Sequence, residues 1–325
     1  MITRRAFLAA SAAALASPAL SSPAFAQERW PSRVVRIIVP FPPGGGTDLL
    51  ARLIAQHLQN RLGQPFIVEN RAGGAGVVGT QEVARATPDG YTLAVNSSGP
   101  ITIFPQLMSV PYDPLRSFEP VALPAVTPLI LVVPPNSPSG SFDELVQRAR
   151  QEPGRLNLCN IGAGSPSQLV AEMFARAFQL DLTHVPHRGS GPALNDAMGG
   201  HCDLLFDSGT SSLPLVRTGR LRALAVTSTR RLSDPADIPT VVESGAPGFE
   251  ASAWSAMFAP AGTPAEIVDQ LNREFRAFMT TPAQQERLAA AGSLALDLSP
   301  GQFAEYLQRE TAAWGEVIRT AKIKL

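Results

Sequence analysis

The regular alternation of strand-like and helix-like segments restricts most strongly how this chain can fold. A β-branched run at 34–39 predicts a strand, a turn rich in proline and glycine follows, and apolar residues at helical spacing predict a helix at 47–62. The same order returns with strands predicted at 66–69 and 91–96. Strand–helix–strand units of this length form parallel sheets that are covered by helices. The sequence therefore predicts an α/β fold.

A second alternation begins near residue 129 and leads into a mainly helical C-terminal region. Segments 129–138 and 255–264 echo each other, because each combines a strand, a proline, a turn and a helix start. We interpret them as two crossings between two lobes that hinge about a cleft, where small ligands commonly bind. The length of the chain also favours two domains. The predicted division is 27–127 plus 252–325 for lobe 1 and 128–251 for lobe 2.

Residues 1–26 have the features of a secretory signal peptide. A pair of arginines precedes an apolar stretch at 6–16, and small residues flank Phe25 at a cleavage site that ends with Ala26. The apolar stretch is shorter than the roughly 20 residues that span a bilayer, so a retained membrane helix is not expected. The arginine pair leaves general secretion and twin-arginine export both open. We expect cleavage after Ala26 and a periplasmic location.

The balance of charge argues against two classes of partner. The chain has 27 basic and 27 acidic residues, so its formal net charge is zero when histidine is neutral. A neutral chain has no general electrostatic attraction to nucleic acid or to an anionic membrane surface. We therefore expect neither partner.

Neither a cofactor nor a metal site is predicted. Residues 74–79 match G-x-G-x-x-G outside the first strand–helix–strand unit, so we interpret them as a turn with close helix–sheet packing rather than a nucleotide site. His184 and His187 are three residues apart and point to opposite faces of a strand, so they do not share a metal ion. In an exported chain Cys159 and Cys202 can form one disulfide, although we favour two buried free thiols.

Glycine-bearing turns after three predicted strands are the candidate binding elements. In the loop at 40–48, glycines allow backbone N–H groups to approach a ligand, and Thr47 can cap a helix whose N-terminus favours an anion. The loops at 160–166 and 187–192 have the same form, and Arg188 is their one arginine. Arg188 can pair with a carboxylate. The plainer interpretation is that these are capped strand–helix turns and that Arg188 is a solvated rim residue.

Several segments become recognisable when they are taken together and in order. Each is loosely specific alone, but the ordered set is highly specific and covers essentially the whole mature chain. The segments are 37–48, 111–114, 184–193, 199–203, 221–227 and 258–264. The set resembles the Bug family, the extracytoplasmic solute receptors of tripartite tricarboxylate transporters.

The resemblance implies a two-lobed fold like that of type II periplasmic binding proteins. Each lobe would be a mostly parallel sheet flanked by helices, and two crossover strands would join the lobes. It implies a receptor and not an enzyme, with a small carboxylate as ligand: an amino acid, a di- or tricarboxylate, or an aromatic acid. Inner-membrane permease subunits are the implied partners. We expect a monomer, because lobe motion is then unhindered.

Two other functions stay open from the sequence. A receptor that feeds a signalling partner would use the same closed-lobe surface as a transport receptor. An exported hydrolase would need a nucleophile and a base, for which Ser190, His187 and Asp207 are the candidates. The chain has no G-x-S-x-G nucleophile elbow, which argues against the hydrolase.

The resemblance also implies which residues bind the ligand, largely through backbone groups of the matching loops. The family commonly has Tyr where His187 stands and His where Gln168 stands, so the ligand of a relative is not transferred to this chain. Because imidazole titrates near neutral pH, His187 can make affinity pH-dependent. The implied binding residues are Phe41, Gly45, Gly46, Thr47, Asp48, Ser97, Ser98, Gly162, Gly164, Ser165, His187, Arg188, Gly189 and Asp207.

Overall fold

The computed structural model describes residues 30–321 and residue 323, apart from Gly45, Ala163, Gly164 and Arg188. The predicted signal peptide and its cleavage site lie outside the described residues. Within the described part of the chain, no helix combines the length and the apolar character that crossing a membrane requires.

Three parallel strands form the first part of the sheet. β1 (Val35–Val39) lies between β2 (Phe66–Asn70) and β3 (Thr92–Ser97). α1 (Gly46–Leu62) connects β1 to β2, and α2 (Val77–Ala84) precedes β3. This order confirms the strand–helix–strand units that the sequence predicts. A π-helical turn (Gly99–Ile103), α3 (Phe104–Leu107) and β4 (Phe118–Ala122) follow.

A second group of parallel strands repeats this arrangement after the long strand β5 (Ala125–Val133). β6 (Asn157–Asn160) lies between β7 (Thr183–Pro186) and β8 (Leu204–Ser208). The other elements of this region are α4 (Phe142–Gln151), α5 (Pro166–Ala177), α6 (Ser190–Met198), α7 (Gly209–Arg217) and β9 (Arg222–Val226).

β5 and β10 (Ser252–Pro260) change partners along their length and so join the two groups of strands. Residues 252–254 of β10 pair antiparallel with residues 126–128 of β5. Beyond this stretch, β10 pairs with β3 and β4, whereas β5 pairs with β8 and β9. The main path through the sheet is therefore β2-β1-β3-β10-β5-β8-β6-β7. The two predicted crossover strands are present, and the fold is α/β as predicted.

The C-terminal region packs against both groups of strands. Helix α10 (Pro300–Ala321) places Phe303 and Leu307 in the apolar core around β3 and β10. In the C-terminal half of the same helix, Trp314 and Ile318 pack in the core around α5 and β8. The division into lobes at the predicted boundaries stays a prediction, and α10 contacts both sides of it. The elements of this region are α8 (Ala265–Met279), α9 (Pro282–Ala290), β11 (Leu294–Ala295) and α10 (Pro300–Ala321).

Cys159 and Cys202 form a disulfide, so the expectation of two free thiols is wrong. Cys159 lies on β6, and Cys202 comes just before β8, the parallel neighbour of β6. Adjacent strands bring the two Cα atoms to 5.8 Å, which is within disulfide range. The sequence alone does not show this contact, because the pairing of β6 with β8 depends on the order of strands in the sheet.

Replacing both cysteines by alanine should lower stability without changing the fold. The bridge joins residues 43 positions apart, and removing such a bridge typically costs about 2–4 kcal/mol because the unfolded chain regains freedom. Urea unfolding of Cys159→Ala/Cys202→Ala beside the oxidised wild type measures the loss. A reducing agent should then destabilise the wild type and leave the variant unchanged. Equal stabilities of the two oxidised proteins would contradict this expectation.

Candidate functional site

A cleft of about 590 Å³ is lined by residues from both groups of strands. Gly46 and Thr47 reach it from the first group, and Ser165 and Thr210 reach it from the second. The crossing strands contribute as well, with Thr127 on β5 and Ala253, Trp254 and Ser255 on β10. The cleft therefore lies where the two halves of the sheet are joined.

Helices α1, α5 and α7 begin at this cleft. The first N–H groups of a helix have no acceptor within the helix, and the helix dipole adds partial positive charge there. Ser165 caps α5, because its hydroxyl accepts a hydrogen bond of 3.2 Å from the N–H of Gln168. Three such ends around one space favour an anion. The lining residues at the starts of α1, α5 and α7 are Gly46, Thr47, Ser165, Pro166, Ser208 and Thr210.

Hydroxyl groups extend the polar part of the cleft. The Oγ1 atom of Thr47 and the Oγ atom of Ser255 are 2.8 Å apart, which joins the start of α1 to β10. Thr127 of β5 and Ser293 make a second hydroxyl pair, also at 2.8 Å. A hydroxyl can both donate and accept, so each pair can turn a donor towards a ligand and keep its internal bond.

The described lining of the cleft includes polar but no charged side chains. Among its described lining residues, none has an ionisable acidic or basic side chain. The remaining wall is apolar and comes from several elements: Phe41, Leu50, Phe104, Trp254, Met279 and Leu288. Such a site can hold an anionic group through neutral donors and an attached hydrocarbon part against the apolar wall.

The structure brings together part of the predicted binding set. Phe41, Gly46, Thr47, Ser97, Ser98 and Ser165 line the cleft. Gly45, Gly164 and Arg188 lie outside the described residues. The others do not line it: Asp48, Gly162, His187, Gly189 and Asp207. Thr210, Ser255 and Ser293 line the cleft without having been predicted, because they depend on an unpredicted helix and on chain crossings.

Asp48 supports the first loop from behind and does not face the cleft. Its side chain is 2 % exposed and accepts hydrogen bonds from the N–H of Gly44 (2.9 Å), Nε of Arg52 (3.0 Å) and Nδ2 of Asn70 (2.9 Å). These bonds, above all that from Arg52, lower the pKa of Asp48 to about 2. Asn70 also donates to the carbonyl oxygen of Phe41 at 2.9 Å. We therefore assign Asp48 to loop support.

Asp207 has a similar supporting role at the second group of strands. It is completely buried and accepts hydrogen bonds from the hydroxyl groups of Ser190 (2.7 Å) and Ser211. Ser190 begins α6 and Ser211 lies in the first turn of α7. Burial raises the pKa of Asp207. The carboxyl group thus ties together two helix starts, one of which lines the cleft.

His187 is directed away from the residues that a hydrolase would need. Its Nε2 atom lies 2.8 Å from a carboxylate oxygen of Asp196, and its Nδ1 atom lies 3.1 Å from the carbonyl oxygen of Val185. Ser190 instead donates directly to Asp207. The three candidates for a serine–histidine–aspartate relay therefore do not form one in this structure.

The glycine-rich motif at 74–79 serves close packing, as predicted. A Cβ atom on Gly79 would lie 2.7 Å from the carbonyl oxygen of Arg71 and 2.9 Å from Cα of Pro40. Only a glycine lets α2 approach β1 and β2 this closely. Gly76 has a positive φ of 98°, and a Cβ atom there would contact Pro100 and Phe41 beside the cleft.

The sequence matches a known receptor family over most of its length. The tripartite tricarboxylate transporter family receptor description matches residues 50–323. The chain belongs to this family. BugT of Bordetella pertussis is 37 % identical to it over 313 residues, which are 96 % of this chain and 96 % of BugT. The resemblance to Bug receptors is thereby confirmed, and the family is one of solute receptors and not of enzymes.

Solved structures of relatives confirm the fold. Rpa4515 of R. palustris, solved with adipate, is 36 % identical and gives a TM-score of 0.78 over 91 % of this chain and 99 % of that chain. MatC of Rhodopseudomonas palustris, solved with bound malate, is 33 % identical and gives a TM-score of 0.74 over 89 % of this chain and 100 % of that chain.

Replacing Asp48 by asparagine should destabilise the protein by about 1–2 kcal/mol at neutral pH, because the replacement weakens charge-assisted hydrogen bonds to a buried carboxylate. The folded pKa of about 2 lies below the ordinary value of 3.8 for an aspartate, so this stabilisation is present above pH 4 and is lost as pH falls towards 2. Urea unfolding at several pH values measures it. Asp89→Asn at an exposed ion pair is the matched control, with an expected change of less than about 0.5 kcal/mol. Normal stability combined with lost ligand binding would return Asp48 to the binding site.

Proposed function

We propose that the protein is a periplasmic receptor that captures a small carboxylate in the cleft and delivers it to a tripartite tricarboxylate-type permease in the inner membrane. The observation that carries this proposal is the meeting of the N-termini of α1, α5 and α7, from both groups of strands, around one cleft whose described lining has no charged side chain. Such ends attract an anion and hold it without a cationic side chain. Membership of the receptor family supports the role in transport.

The ligand should combine a carboxylate with a hydrocarbon part. Adipate and malate in the solved relatives are both small carboxylates, which supports this class of ligand. In this chain the apolar wall of Leu50, Phe104, Met279 and Leu288 offers contact to methylene or ring carbons. A carboxylate at the helix starts and an apolar part against this wall would use both kinds of surface.

Capture would depend on closure of the two predicted lobes. Thr47 and Ser165 line the cleft from different groups of strands, and β5, β10 and α10 each contact both groups. A ligand that contacts both sides favours the closed arrangement by the difference in its affinity for the closed and open states. The permease would recognise that closed arrangement.

A thermal-shift screen of small carboxylates tests this proposal most simply. A ligand at about 100 times its dissociation constant should stabilise the fold by roughly 2.7 kcal/mol. Each acid is paired with its primary amide, which keeps the size and shape but removes the charge. The proposal expects a rise in melting temperature with at least one acid and little change with its amide. No shift with any acid, together with turnover of an ester or amide, would favour an enzyme instead.

A further inference from the structure

A second cavity, of about 320 Å³, lies beside the crossing strand β10 and helix α10. Its wall includes Ser252 at the start of β10 and three residues of α10, namely Tyr306, Glu310 and Trp314. We call it the rear cavity. It contains the carboxyl group of Glu310, which takes no part in the binding site described above.

Trp254 connects the cleft to the rear cavity. The residue lines the cleft, and its side chain is otherwise buried, with 4 % exposure. Its indole N–H donates to Glu310, with Nε1 lying 2.8 Å from one carboxylate oxygen and 2.9 Å from the other. The indole ring also packs edge-on against Phe303, with the ring centroids 6.2 Å apart. Glu310 is the hydrogen-bond acceptor that fixes this ring.

The position of Glu310 on α10 links its hydrogen bond with Trp254 to both halves of the fold. Leu307 precedes it and packs in the core around β3 and β10, whereas Trp314 follows it and packs in the core around α5 and β8. Trp254 itself lies at the point where β10 leaves β5 and begins to pair with β3. The hydrogen bond therefore joins a wall of the cleft to the helix that contacts both halves of the fold.

We propose that Glu310 is a positioning residue for ligand binding, which holds the indole of Trp254 in place as a wall of the cleft without touching the ligand. This inference rests on the proposed function, because it concerns affinity for the ligand of that cleft. Loss of the carboxyl acceptor leaves the indole N–H buried without its partner, and the ring is then free to leave the position in which it lines the cleft.

Burial gives this bond a pH dependence. Desolvation raises the pKa of Glu310 from its ordinary value of 4.5 to about 7. Glu250, Arg309 and Tyr306 are the other titratable groups that line the rear cavity around it. Because the folded pKa is the higher one, the stability that depends on Glu310 is fully present below pH 4.5 and falls as pH rises through 7. Above pH 7 the carboxyl group of Glu310 is charged, and a charged carboxylate accepts a stronger hydrogen bond from the indole N–H.

Ligand binding by a small set of variants tests the positioning role. Glu310→Ala should weaken binding of the carboxylate found in the thermal-shift screen by at least tenfold at pH 8, and Glu310→Gln, which keeps one amide oxygen, should weaken it less. Glu316→Gln is the matched control, because it removes an exposed carboxylate from the same helix and should leave affinity unchanged. Isothermal titration calorimetry measures all of these affinities.

A double-mutant cycle separates positioning from a general loss of stability. Phenylalanine at position 254 keeps an aromatic wall but has no N–H group for Glu310. Adding Glu310→Ala to Trp254→Phe should therefore cost much less affinity than adding it to the wild type. Equal costs in the two backgrounds would overturn the inference.

The indole N–H resonance of Trp254 provides a readout that needs no ligand. Its signal in ¹⁵N-labelled protein is identified by its absence from Trp254→Phe. We expect it to shift with pH near 7 in the wild type and to lose that shift in Glu310→Gln, but not in Glu316→Gln. An indole N–H signal that shifts neither with pH nor on replacement Glu310→Gln would overturn the inference. Failure of the wild type to bind any carboxylate would instead overturn the proposed function.

Discussion

The change of partners along β5 and β10 is the constraint on which the rest of the structure depends. Their short antiparallel pairing at 126–128 and 252–254 is the place where the two groups of parallel strands meet. Because both strands continue outwards into different groups, the helices that follow β1, β6 and β8 begin near this junction. The cleft and the helix starts around it lie at that junction.

The absence of charged side chains from the described lining of the cleft has physical consequences for recognition. A carboxylate held by main-chain N–H groups keeps its charge, and the protein does not have to bury a cationic side chain in the ligand-free state. The carboxylates of this region instead support the framework. Asp48 orders the loop before α1, Asp207 ties the starts of α6 and α7, and Glu310 fixes Trp254. These three carboxyl groups thus lie behind the site and position its neutral groups.

Local sequence patterns predict much of the fold because they depend on nearby residues. The alternation of strands and helices predicts β1–β3 and the two crossing strands, and the glycine-bearing turns predict Gly46, Thr47 and Ser165 at the cleft. α7 was missed, because its first residues and its internal Pro214 are typical of a loop. The helix forms because its apolar side, including Leu213, packs into the core. Thr210 could not be predicted without it.

The orientation of Asp48 and the pairing of the cysteines have a common physical origin. Sequence position placed Asp48 in the binding loop, but the direction of its side chain is set by Arg52 and Asn70, whose approach depends on the folded helix and strand. The disulfide likewise depends on the pairing of β6 with β8. Contacts between distant segments decide such roles, and spacing along the chain does not specify them.

If neutral main-chain N–H groups at helix starts bind the carboxylate, Gly46→Pro should weaken that binding. Gly46 is the first residue of α1, where proline is tolerated, and an added Cβ atom there meets nothing within 4 Å. Gly46→Pro removes one N–H group from the cleft, whereas Gly46→Ala keeps it. Calorimetry should show at least tenfold weaker carboxylate binding by Gly46→Pro than by Gly46→Ala at similar stability. Equal affinities of the two variants would contradict the account.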